Sequence, residues 1–250
     1  MSGHNKWANI KQRKSAQDAK RSNMFSKISR EIILAAKKGG GNPETNATLR
    51  AIIEKARSYN MPKDNIERSI KRGTGEIEGA AFEELTYEGY GPGGVAMIVD
   101  VTTDNRNRTI SEIRKIFSRL GGNLGEAGCV GWMFEKKGYI SVDANKYTED
   151  QIMEIALELG ADDVKKEGDA IEIYTSVENF LNVLDGLKAK GIEIQSSELA
   201  RFAQNTVKIE KDKALSLLKL IDELEEHDDV QAVATNADID DSVYDEYANS

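Results

Sequence analysis

The chain has 250 residues, 39% hydrophobic and 31% charged, with one cysteine, two histidines and a formal net charge of −9. That composition fits a globular protein with ordinary cores and excludes collagen-like and low-complexity classes. No apolar run approaches the ~20 residues that span a bilayer and Met1 to Lys6 lacks the apolar stretch of a secretory signal, so a cytoplasmic protein without membrane attachment is expected.

Cys129 has no partner for an internal disulfide, and with only His4 and His227 beside it a zinc site within one chain is not expected; no cofactor is expected either. The charge is unevenly divided. Residues 1–72 hold 17 Lys and Arg against 6 Asp and Glu, a net of +11, whereas the remainder holds 17 against 37, a net of −20. A basic module joined to an acidic body points to a polyanion as the partner of the first part.

In chain order, the stretch from Gly3 to Arg21 comes first. Lys6, Lys11, Arg13, Lys14, Lys20 and Arg21 face a single acid, Asp18, and Trp7 sits among them. Phosphate contact with a stacked base suits this set. A solvated arm whose tryptophan folds back on its own protein suits it too, and the stretch by itself leaves both open. Met24, Phe25, Ile28, Ile32 and Ala35 or Ala36 then recur at helical spacing up to Gly39-Gly40-Gly41. A second helix follows Pro43, with Leu49, Ile52, Ile53 and Ala56 inward, and a third starts at Pro62 and closes at Gly73. Their outer faces carry Lys27, Arg30, Arg50, Lys55, Arg57, Arg68, Lys71 and Arg72.

Beyond a hinge at residues 73–79 the period changes to that of strands, over 82–87 and 95–101. Between them, Gly89 to Gly94 matches G-x-G-x-x-G. A dinucleotide loop must open a helix, and here a strand follows, so a glycine-rich strand connection is expected. Asp104 and Asn105 are expected to cap the next helix, which carries Arg106, Arg108, Arg114, Lys115 and Arg119; local ion pairs with Asp100 or Glu112 are one role for its arginines, and their role is left open. Gly128 to Phe134 reads as a strand with Trp132 in the core. From Tyr139 to Ile194 the order is β-α-β-β-α-β, a ferredoxin-like unit with a capping box at Thr148-Glu149-Asp150-Gln151. Its flanks form a second α+β unit, closed by a strand over 203–209, a helix and a strand over 230–233, and Asn236 to Ser250 reads as a frayed acidic tail. The fold class is thus α+β: an N-terminal three-helix domain (1–78) and two ferredoxin-like α+β domains, one discontinuous (79–136 and 204–250) and the other inserted into it (137–203).

Five ordered stretches resemble the YebC/PmpR family: Gly3-His4-x-Lys6-Trp7-Ala8-x-Ile10, Tyr87 to Gly94, Thr103-Asp104-Asn105-Arg106-Asn107-Arg108-Thr109, Gly121-Gly122-Asn123-Leu124-Gly125 and Asp228-Asp229-Val230-Gln231. The resemblance implies a helical domain followed by two α+β domains, one inserted in the other. It implies a cytoplasmic regulator of transcription that binds DNA, or a translation factor that associates with ribosomes and helps them through proline runs; the family includes the mitochondrial translational activator of cytochrome oxidase subunit one. It implies no catalytic residues.

The expected function is a non-enzymatic nucleic-acid-binding regulator acting on DNA, with rRNA or the ribosome as the alternative target. Lys6, Trp7, Lys11, Arg13, Lys14, Lys20, Arg21, Lys27, Arg30, Arg106 and Arg108 are its candidate contacts, and the acidic domains are left for a protein partner or self-association. A magnesium enzyme using Asp100, Asp104 and Glu126 is the weaker competitor, because these carboxylates fall where caps are expected and no nucleophile stands beside a base. A pure protein-interaction adaptor would explain the acidic domains and leave the basic arm unused.

Overall fold

The computed structural model describes the backbone of residues 17–248 and the side chains of residues 22–248. Three helices come first: α1 (Gln17–Gly39), α2 (Ala47–Ser58) and α3 (Lys63–Gly73). Ile28, Ile32 and Ala36 of α1 meet Leu49, Ile53 and Ala56 of α2 and Ile66 of α3 in one core. Asn46 joins two of them. Its Oδ1 caps α2 by accepting from the Leu49 N–H, and its Nδ2 donates to the carbonyls of Ala35 and Gly40 where α1 ends.

The rest of the described chain runs β1 (Glu83–Tyr90), β2 (Ala96–Thr103), α4 (Arg106–Arg119), β3 (Asn123–Leu124), a 3-10 turn (Gly131–Met133), β4 (Phe134–Asp143), α5 (Glu149–Glu158), β5 (Asp163–Glu167), β6 (Ala170–Thr175), α6 (Phe180–Ala189) and β7 (Ile194–Ala203). It ends with β8 (Val207–Lys208), α7 (Lys211–Glu226), β9 (Val230–Thr235), β10 (Ala237–Asp238) and α8 (Asp241–Ala248). One sheet has the order β3-β1-β2-β9, with α4 and α7 packed on the face that carries Met97, Val99 and Val101. The other, antiparallel throughout, has the order β5-β6-β4-β7, the ferredoxin-like arrangement, with α5 and α6 on its core face. Its residues, 134–203, lie in sequence between β3 and α7 of the first sheet. The expected capping box forms at Thr148 and Gln151.

The glycine stretch closes a hairpin. Gly91 N–H donates to Val95 O at 2.8 Å and Gly94 N–H to Gly91 O at 2.9 Å, with Gly93 and Gly94 at φ of +84° and +73°.

Four expectations are corrected. Residues 128–133 form turns, with strand starting only at Phe134, and the third strand of the first sheet is the two-residue β3, because the Glu88 carboxylate gathers the N–H groups that a ladder would have used. Trp132 is 69% exposed, so it is not in the core. No strand runs over 203–209: β7 stops at Ala203, and only Val207 and Lys208 pair, in parallel, with β10. The acidic tail is the helix α8, docked by Val243, Tyr244 and Tyr247 against the first sheet's core, with Tyr247 OH donating to Asp222. Its apolar residues at i, i+1 and i+4 outweigh its charge, which faces outward.

Candidate nucleic-acid interface

Of the eleven candidate contacts, Lys6, Trp7, Lys11, Arg13, Lys14, Lys20 and Arg21 lie outside the residues whose side chains are described. Lys27 and Arg30 are placed, and both are engaged with the protein itself. Asn23, Lys27 and Arg30 stand at i, i+4 and i+7 on one face of α1, turned toward the C-terminal end of α7. Asn23 Nδ2 donates to Glu226 O at 3.0 Å, Lys27 Nζ to Glu225 O at 2.6 Å, and Arg30 Nη1 to Asp228 O. The last carbonyls of a helix have no partner inside it and carry its negative dipole end, so cations satisfy them. Lys27 is only 6% exposed, which removes it from any open phosphate-binding surface.

Arg30 also reaches Asp229 at 3.0 Å, and there the stretches 103–109 and 228–231 meet. Asp229 is buried at 2% exposure. Its carboxylate accepts from Thr109 Oγ1 at 2.6 Å, Thr103 Oγ1 at 3.0 Å and Arg108 Nη2 at 2.8 Å in addition to Arg30. Burial by itself would raise the carboxyl pKa; the bonds from Thr109, Arg108 and Thr103 and the charge of Arg30 overcome it and hold the group below the ordinary range. Arg108 closes a second pair with Asp104 at 3.0 Å, and Asn105 caps α4 through the Arg108 N–H. Asp104 and Asn105 thus serve the helix start, as expected. The arginine pairs considered with Asp100 or Glu112 do not form: Arg201 holds Asp100 at 2.7 Å and His227 holds Glu112 at 2.9 Å. Arg108 therefore acts inside the fold, and of the two candidates on α4 only Arg106 is exposed without an ion pair to a described residue.

Other cations of the helical domain are also engaged. Lys55 lies beside Glu31 at 2.9 Å, and although burial disfavours its charge, Glu31 and Glu198 hold its pKa above the usual lysine range. Arg50 pairs with Asp185, Arg57 with Glu54 and Lys38 with Glu84. Arg68, Lys71 and Arg72 of α3 stay exposed and make no ion pair with a described residue, opposite the inward Ile66 and Ile70. Amphipathic spacing was the signal for them. On the sequence it did not separate them from Lys27 and Arg30, which have the same residue types and the same helical setting.

Glu88 builds a second local scaffold. Its carboxylate accepts from the N–H groups of Gly128 (2.8 Å), Val130 (2.8 Å) and Gly131 (2.6 Å), and these bonds outweigh the burial that would raise its pKa. Val130 and Phe134 are buried on either side of the exposed Trp132. The three carboxylates considered for magnesium do not act as a set: Asp100 serves Arg201 and Asp104 serves Arg108, and among the described residues no group of three or more His, Cys, Asp or Glu is placed to hold a metal. No helix among the described residues is long and apolar enough to cross a membrane.

Known proteins share this arrangement along nearly the whole chain. Residues 5–76 match the family model "TACO1/YebC protein N-terminal domain", and residues 82–237 match "TACO1/YebC second and third domain". The chain belongs to the TACO1/YebC family. Relatives named "Probable transcriptional regulatory protein" are 57% identical in Dictyoglomus turgidum, over 97% of this chain and 98% of that one, and 55% identical in Syntrophobacter fumaroxidans, over 99% and 100%. A crystal structure of a conserved hypothetical protein from Aquifex aeolicus has the same fold, with a TM-score of 0.82 at 48% identity over 90% of this chain and 93% of that one. Members of the TACO1/YebC family thus carry the name of a regulator and not that of an enzyme.

Proposed function

We propose that this TACO1/YebC protein is a non-enzymatic, DNA-binding regulator of transcription in the cytoplasm. In this reading the basic N-terminal stretch and the helical domain, residues 1–78, grip the sugar–phosphate backbone. The α+β domains, 79–136 with 204–250 and 137–203, repel indiscriminate polyanions and present surfaces to protein partners or a second copy. The observation that carries it is the charge division, +11 in residues 1–72 against −20 in the rest, with Lys37 of α1 and Arg68, Lys71 and Arg72 of α3 exposed without an ion pair to a described residue, while Lys27, Arg30, Lys38, Arg50, Lys55 and Arg57 meet carboxylates or carbonyls. Exposed cations without partners are the groups that can neutralise phosphates.

Salt dependence is the test. If the protein neutralises about six phosphates, log affinity for duplex DNA falls against log salt with a slope near −5. Affinity that does not change with salt overturns the proposal. Sedimentation of the full chain through a sucrose gradient, at low and high salt, separates the two targets. Free protein together with sequence-dependent duplex shifts is expected for a transcription regulator, whereas salt-sensitive comigration with ribosomal subunits transfers the same surface to rRNA and translation.

A further inference from the structure

Helix α4 is out of keeping with the body that carries it. Residues 73–250 hold 37 acids and 17 bases, yet α4 holds Arg106, Arg108, Arg114, Lys115 and Arg119 against one acid, Glu112, which faces His227. Local rules oppose this placement. Arg106 and Arg108 stand in the first turn, where the helix dipole is positive and no acid is present, and Lys115 and Arg119 repel each other at i, i+4. Asp229 offsets the first turn through Arg108, and Glu223 pairs with Arg119. Arg106, Arg114 and Lys115 are exposed and have no ion pair with a described residue. A violation of local preference with no structural compensation marks a functional position.

The geometry says what the face could hold. With Ile113, Ile116 and Phe117 buried, the solvent side is formed by Asn107, Ser111, Arg114, Lys115 and Ser118. This strip contains two cations, Asn107 and Ser118 with donors to spare, Ser111 whose hydroxyl donates to the Asn107 carbonyl, and no carboxylate. At 1.5 Å rise per residue, Asn107 to Ser118 covers roughly 17 Å, the reach of two to three phosphates along a strand. Arg108 of α4 and Arg30 of α1 share the Asp229 carboxylate, so the strip is tied to the helical domain through a buried junction and not through a flexible linker.

We propose that the solvent face of α4, with Arg114 and Lys115 as its charges and Asn107 and Ser118 as neutral donors, is a second contact surface for the sugar–phosphate backbone of nucleic acid. This rests on the reading of the protein as a nucleic-acid binder and adds to it a site on the acidic body. Two surfaces on one frame bind a single polymer with an effective concentration that neither has alone, and a short oligonucleotide that reaches only one of them loses that gain.

The experiment compares the full chain with R114Q/K115Q by fluorescence anisotropy, using a labelled duplex over a range of salt. Neutralising two exposed side chains leaves the melting temperature unchanged, makes the slope of log affinity against log salt shallower by about 2, and weakens binding equally for all sequences. A photo-crosslinker in place of Ser118, which changes no charge, is expected to capture the nucleic acid. A steep wild-type slope that R114Q/K115Q leaves intact overturns the α4 site and leaves the proposed function standing, as does a silent crosslinker on a bound duplex. A wild type without salt-dependent binding to duplex DNA or rRNA overturns both.

Discussion

Arg30 and Arg108 meet at the buried Asp229, while Arg72 and Arg114, on helices with the same kind of amphipathic pattern, stay in solvent without a described ion pair. The difference is one of neighbours. Arg30 and Arg108 flank a carboxylate whose remaining lone pairs are taken by Thr103 and Thr109, and a buried charge of that kind is stable only when its partners are complete. Arg72 and Arg114 make no ion pair with a described residue, so their charge remains available to a ligand. Sequence charge therefore divides into a part that fastens the domains together and a part that can act outward.

The largest test of this division is Asp229→Ala. Removing one carboxylate takes the shared buried acceptor from two arginines and two hydroxyls, so unfolding free energy from urea titration should fall by about 3 kcal/mol. A loss below about 1 kcal/mol would mean the junction is not a fastening. Lys27→Met comes next. The carbonyl of Glu225 loses its donor, and stability should fall by about 1 kcal/mol, with any loss of nucleic-acid affinity following from that. If affinity falls while the urea midpoint stays, Lys27 belongs with the outward group and the comparison breaks.

Acid should act on the fastening alone. The Asp229 and Glu88 carboxyls are held below their ordinary values of about 4 when folded, so their stabilisation is complete above about pH 5 and is lost as pH falls from there through the folded values. Stability rising on acidification would reverse the sign and refute the assignment. The smallest structural effect is expected for R68Q/K71Q/R72Q on α3. Stability should stay within about 0.5 kcal/mol while the salt slope of DNA binding becomes shallower by nearly 3. An unchanged slope would place the outward charge elsewhere.

The elements themselves were largely legible. Pro62 before α3, the Thr148–Gln151 capping box and the glycine hairpin after β1 are local signals read over a few residues, and each stands in the structure. Trp132 and the acidic tail were misread for opposite reasons. The tryptophan's composition says core, but Glu88, 44 positions earlier, fixes a turn that presents it to solvent. The tail's charge says fraying, but Tyr244 and Tyr247 find a core already built by α4 and α7.

By itself the sequence determined where most helices and strands lie, the order of a ferredoxin-like unit and the division into a basic first part and an acidic remainder. Those follow from periodicity, caps and counting, which need no distant contact. Only the tertiary structure decided which charges are spent. Asp229 draws in Arg30, Thr103, Arg108 and Thr109 from as far as 199 residues away, and such a meeting depends on chain topology bringing donors to one buried carboxylate, a property that no window of sequence contains.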